Sequence, residues 1–239
     1  MKRIGPFFSY FGAKWRLAPL YPEPQHARIV EPFAGAAGYS TLHYDRDVLL
    51  CDLDENVVST WDYLIRATED DLVALPDLEP GQRVAELELD RGPSCLIGWW
   101  LNQGGASPGQ TMSKWGKGEK AKYYWGPHVR ERIASQLHLI RHWTVTRADY
   151  RTIADMSATW FIDPPYQRAG TRYRHGAKSV DFAALADWCR SRSGQVLACE
   201  NSGADWLPFE ELTTVRLGKG GPRAANGYSR EVLWLGAGR

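Results

Sequence analysis

Residues 26–68 constrain the fold more than any other part of the chain. They read "HARIVEPFAGAAG", "YSTLHYDR", "DVLLCDLD" and "ENVVSTWDYLIRAT" in succession. A short β-rich start enters a glycine-rich turn, and a helix-compatible segment follows. Next comes an apolar strand that ends in acids. The fourth segment places Val57, Val58, Trp61, Leu64 and Ile65 on one helical face. Strand–helix–strand–helix predicts the start of a doubly wound, Rossmann-like α/β sheet. The rhythm returns later. "HVRERIASQLHLIRHW" predicts one amphipathic helix, "TVTRADY", "ATWFIDPPY" and "QVLACENS" predict strands, and "SVDFAALADWCRSRSG" predicts a helix. "VRLGKGGPRAANGYSREVLWLG" predicts two strands joined by a glycine-rich basic loop. Between the two halves, Pro76, Pro80, Gly81, Gly92 and Pro93 interrupt the pattern. Residues 67–129 are therefore read as a helical and loop insertion into a core of 1–66 and 130–239.

A chain of 239 residues is long enough for one such domain with a sizeable core. No apolar run reaches the ~18 residues of a membrane span. The first residues lack the apolar stretch and cleavage site of a signal peptide. Cys51, Cys95, Cys189 and Cys199 have no metal-ligand spacing, which predicts buried, reduced thiols, no metal and a cytoplasmic protein. Eleven tryptophans, several beside Gly and Lys, predict surface rings as well as core rings. The net charge of +1 conceals an uneven spread, because residues 45–91 hold 14 acids and 4 arginines, a balance of −10. The remainder is therefore +11, and bases crowd 107–132, 168–178 and 216–239. A nearly neutral protein can carry a basic face in this way, though uneven solvated loops would look the same.

Two strand ends carry the chemistry. Gly35 and Gly38 let the backbone turn sharply after the first strand, where open α/β sheets bind nucleotides; a tight β–α connection would use them equally well. Asp52 follows Gly35 by 17 residues, in position to take the two hydroxyls of an adenosine ribose, while Asp54 suits the N-cap of the next helix. The glycine spacing is not GxGxxG, so the expected ligand is an adenosine without a diphosphate. The second strand end is "WFIDPPYQ", residues 160–167. Two prolines end ladder pairing and stiffen the backbone behind Asp163. A carboxylate, a carbonyl freed from the ladder and the Tyr166 ring would suit a planar base bearing an exocyclic amine. A strand end with a rigid turn is the plainer alternative.

The order of "YFGAK" (10–14), "EPFAGAAG" (31–38), "CDLDENVV" (51–58), "ADYRT" (148–152), "FIDPPY" (161–166) and "NGYSREVLWL" (226–235) resembles the Dam-like, D12-class N6-adenine DNA methyltransferases. The resemblance implies S-adenosylmethionine as cofactor and double-stranded DNA as partner, with no obligate protein partner and a monomer or weak dimer. It implies that Tyr10 and Lys14 meet the amino-acid end of the cofactor, with Lys14 on its carboxylate. Phe33, Gly35 and Gly38 would form the cofactor turn, Asp52 the ribose ligand, and Asp149 and Tyr150 the segment near adenine. Asp163, Pro164, Pro165 and Tyr166 match the catalytic tetrapeptide. In it, Asp163 and the Pro164 carbonyl would accept the amine hydrogens while Tyr166 stacks on a flipped base. Phosphate and base contacts are then expected from Lys114, Trp115, Lys117, Lys120, Lys122, Arg168, Arg172, Arg174, Arg223, Asn226 and Arg230. Tyr123, Tyr124 and Trp125 would act either as wedges or as a satellite core. The insertion occupies the place of the target-recognition region. The open alternatives are transfer to cytosine N4, RNA adenine or a glutamine side chain, and a non-catalytic nucleic-acid-binding relative.

Overall fold

The computed structural model describes residues 3–114, 124–216 and 228–237. Seven strands form one sheet: β1 (Arg28–Glu31), β2 (Asp47–Asp52), β3 (Thr144–Arg147), β4 (Ala158–Ile162), β5 (Gly194–Asn201), β6 (Glu210–Arg216) and β7 (Tyr228–Ala237). Their order is β3-β2-β1-β4-β5-β7-β6. The first five run parallel, and β7 lies antiparallel between β5 and β6. The order reverses between β1 and β4, so the carboxyl ends of β1, β2 and β4 face one crevice.

Side chains alternate across the sheet and divide the core in two. Ile29, Phe161, Leu197 and Cys199 face a large cluster containing Phe7, Phe8, Trp61, Trp99 and Trp143. Val30, Trp160, Ile162, Val196 and Ala198 face a smaller one with Leu185, Ala186 and Trp206. Helices cover both faces: α1 (Gly38–Leu42), α2 (Glu55–Arg66), α3 (Glu69–Val73), α4 (Arg91–Leu101), α5 (Pro127–Ala134) and α6 (Phe182–Arg190). Asp54 caps α2 by accepting the Asn56 N–H at 3.0 Å, as its position predicts.

Two expectations need correction. The helix expected over "HVRERIASQLHLIRHW" ends at Ala134 and resumes as a 3-10 turn, Leu137–Ile140. The break turns Gln136 inward, where its amide accepts from Gly5 N–H at 3.1 Å and donates to Gly5 O at 2.9 Å. Leu96, Ile97, Trp99 and Trp100 of α4, within residues 67–129, belong to the main cluster. Trp99 donates to Thr60 Oγ1 at 3.0 Å and Trp100 to Phe7 O at 3.0 Å, tying α4 to α2 and to the N-terminal segment. The tryptophans are also more interior than expected, and none among the described residues is fully exposed. Trp125 is buried with its indole donating to Pro76 O at 2.8 Å, so it packs rather than wedges. The four cysteines are buried and free, as expected. No helix of the described residues is long and apolar enough to cross a membrane.

Candidate active site

The carboxyl ends of β1, β2 and β4 open onto a cleft of about 1050 Å³, its mouth included. Tyr10, Lys14, Phe33, Gly35, Gly38, Asp52, Asp149, Tyr150 and Asp163 all line it, although they come from segments 150 residues apart in sequence. Pro165 also lines it, whereas Pro164 and Tyr166 do not.

The floor is made by the turn after β1. Gly35 takes φ +45°, and a Cβ there would meet the Tyr10 ring at 3.1 Å. Gly38 has a packing role besides its place in the cleft lining. A Cβ on it would lie 2.4 Å from the Trp15 nitrogen, so its bareness admits the Lys14–Trp15 backbone against α1. Asp52 is held by the backbone: Gly35 N–H donates to Oδ2 at 3.0 Å and Asp54 N–H to Oδ1 at 2.8 Å. Each oxygen keeps a second acceptor position. Burial pushes the Asp52 carboxyl up to about 6 against the pull of those amides. On the opposite side, Phe33 and Tyr150 meet at 5.5 Å with a tilt of 34°. The Asp149 carboxylate is already engaged by Arg151, through its backbone N–H at 3.0 Å and its guanidinium at 2.9 and 2.6 Å. The guanidinium bonds hold that carboxyl below its usual range.

Asp163 stands just past β4, and Lys14 is paired with it. The lysine lines the cleft yet is only 6% exposed. It donates to Asp163 Oδ2 at 2.9 Å and to Gly12 O at 3.1 Å, and lies 4.6 Å above the Tyr166 ring. Burial disfavours the ammonium, yet the nearby carboxylates of Asp163 and Glu231 outweigh it and hold its pKa above the usual lysine value. The same ammonium is 2.8 Å from Asp163 Oδ1, so it bridges both oxygens of the carboxylate. Burial pushes the Asp163 carboxyl up to about 6; Lys14 opposes this and Glu231 adds to it. The Tyr166 hydroxyl donates to Glu231 Oε1. The ring that lines the cleft instead is Tyr173, whose hydroxyl donates to Phe11 O at 3.1 Å.

Sequence reasoning missed Glu31, Glu231, Tyr173 and Phe11. The two acids carried one signal: each is a lone carboxylate within or ending an apolar strand. Glu31 is 2% exposed, accepts from Ser40 N–H at 2.8 Å and lines the cleft floor. Burial pushes it up to about 8 despite the Ser40 bonds.

Of the residues expected to meet nucleic acid, Trp115, Lys117, Lys120, Lys122, Arg223 and Asn226 lie outside the described residues, as does Tyr123. Lys114, Arg168 and Arg230 are exposed. Arg172 is exposed with its guanidinium 5.4 Å over the Phe11 ring, and Arg174 reaches Asp54 at 3.6 Å beside the cleft. No group of acids, histidines and cysteines suited to a metal ion occurs among the described residues.

No family model matches the chain, and no curated protein matches it. Among solved structures, the rRNA methyltransferase AviRa from Streptomyces viridochromogenes is similar at 15% identity and a TM-score of 0.42, over 97% of this chain and 87% of that one. The strand order, with β7 antiparallel between β5 and β6 and the cleft at the carboxyl ends of β1, β2 and β4, is that of the Rossmann-like S-adenosylmethionine-dependent methyltransferase fold.

Proposed function

We propose that the chain is an S-adenosylmethionine-dependent N6-adenine methyltransferase acting on DNA. The observation that carries this reading is Asp163: a carboxylate at a proline-stiffened strand end that lines the cleft beside the β1 turn and Asp52. The residues present suit the cofactor. Asp52 has acceptor positions for a ribose diol, Phe33 and Tyr150 offer ring faces for adenine, and Glu31 when ionised suits an α-ammonium. Lys14 also lines the cleft, with two of its three N–H donors on Asp163 and Gly12.

The bound cofactor supplies an electrophilic methyl group. The protein's task is to orient a weakly nucleophilic amine. The Asp163 carboxylate accepts one N6 hydrogen and turns the nitrogen lone pair towards the methyl group, so that alignment provides much of the rate. Once methylated, the nitrogen is cationic and acidic. Its N–H bond breaks towards Asp163, the electron pair stays on nitrogen, and the protonated carboxyl passes the proton to water. Lys14 keeps Asp163 from rotating throughout. The exposed Arg168, Arg172 and Arg174 suit phosphates beside the mouth, and residues 67–129 remain the candidate target-reading region.

Labelled-methyl transfer to duplex DNA, RNA and peptide, each offered with the same cofactor, tests the proposal. Label is expected in DNA as N6-methyladenine. Label in RNA or peptide alone would replace the acceptor, and label in cytosine would replace the position.

A further inference from the structure

Glu231 lies in the middle of a sheet, where a strand has no local need of an acid. Its backbone pairs with Asn201 of β5 and Thr213 of β6, and its side chain is 4% exposed. A buried carboxylate without partners carries a heavy desolvation cost. Glu231 gathers its partners on one oxygen. The Tyr21 hydroxyl donates to Oε1 at 2.9 Å, the Tyr166 hydroxyl donates to the same atom, and the Lys14 ammonium stands 3.8 Å away.

Each partner leads to Asp163. Lys14 grips its carboxylate directly. Tyr166 follows it by three residues and lies beneath the same ammonium. Tyr21 packs edge-on against Phe161, two residues before it, with centroids 5.0 Å apart. The strand that supplies Glu231 therefore braces the strand end that presents Asp163, through three side chains from three other segments.

We propose that Glu231 is a positioning residue for Asp163: it fixes Lys14 and Tyr166 and, as a second buried carboxylate, shares the lysine charge that would otherwise belong to Asp163 alone. The catalytic consequence rests on the methyl-transfer reading, whereas the arrangement itself does not. Two acids sharing an ammonium leave each less neutralised than in a simple pair. Asp163 then accepts a hydrogen, and later a proton, more readily than a carboxylate with its own private lysine. The titratable groups facing the pair are Lys14, Tyr21, Glu31 at the end of β1, Tyr166 and Tyr173 after β4, and Cys199 on β5. Burial raises Glu31 to about 8, whereas the Glu231 carboxyl stands 3.8 Å from the shared ammonium.

The test is a carbon-detected titration of the Asp163 carboxyl in the full chain, with the signal assigned by its loss in Asp163→Asn. Glu231→Gln keeps an oxygen for both tyrosine hydroxyls and removes the charge. The Asp163 midpoint is expected to fall by about one unit or more. The acid limb of the methyl-transfer pH profile should fall with it, while the KM for cofactor stays within about twofold. Glu231→Asp withdraws the charge by one methylene and should give an intermediate midpoint; it serves if the glutamine variant does not fold. A folded variant with an unmoved Asp163 midpoint overturns the proposal. If the midpoint moves but the wild-type chain methylates no acceptor, the positioning stands and the methyl-transfer reading falls.

Discussion

Asp52 and Asp163 end two strands that flank β1, and burial pushes both carboxyls up to about 6. They are held in opposite ways. Backbone amides of Gly35 and Asp54 hold Asp52, and such donors come with the chain's path. A side chain, Lys14, holds Asp163, with Glu231 and Tyr166 behind it. The first arrangement is set by the fold itself. The second can be altered one side chain at a time. A site meant to bind one constant ligand is best served by the first, and a site meant to set a proton affinity by the second.

The sharpest break of this comparison is Asp163→Ala. Turnover should fall by about 100- to 1000-fold, the scale of a lost positioning acceptor. Retention of duplex DNA in a gel-shift assay should change little, since Lys14 keeps Glu231 as a partner. In the unaltered chain, turnover should rise as pH climbs through about 6, because the acceptor must be ionised. Asp52→Ala should act on the other side of the comparison. Loss of charge-assisted bonds to a diol should weaken cofactor binding by about 10- to 30-fold in calorimetry, with turnover recovered at saturating cofactor. Equal losses in binding and turnover for the two variants would erase the distinction.

Glu31→Gln should reshape stability rather than rate. A carboxyl raised to about 8 in the fold binds its proton more tightly there than when unfolded. Stability is then full at low pH and is lost as pH rises towards 8. The melting temperature should decline over that window in the wild type, and the glutamine variant should flatten the decline. Arg174→Ala should have the smallest effect. Its ion pair with Asp54 is exposed on the arginine side, and such pairs are worth about 0–1 kcal/mol. Asp54 still caps α2, so cofactor affinity should stay within about threefold.

Much of this architecture is written locally. Hydrophobic period and glycine turns mark β1, β2, α2, β4, α6 and β5, and Asp54 announces its own cap. The two strand-end acids could be found because each follows an apolar run. The partners of Asp163 could not be found that way. Lys14 and Asp163 lie 149 positions apart, and a lone lysine in "GAKWR" carries no mark of the acid it will meet. Tyr166 belongs to the tetrapeptide, but where its ring points depends on Glu231, 65 positions later. The break at Gln136 arises likewise, because helical periodicity cannot register that Gly5 needs both a donor and an acceptor. Gly38 shows the same limit at short range, since its bareness serves the Trp15 backbone as well as the turn.

The place of β7 between β5 and β6 also bears on how the protein is made. Translation delivers β1 to β5 before Tyr228 leaves the ribosome. Until then β5, buried along most of its length in the finished sheet, has a bare edge that invites pairing with other chains. Lys14, Tyr21 and Tyr166 lack their shared carboxylate over the same interval. Insertion of one strand closes the sheet and assembles the Asp163 support together. A chain that stops short of β7 would therefore be an aggregation hazard and catalytically silent for the same reason.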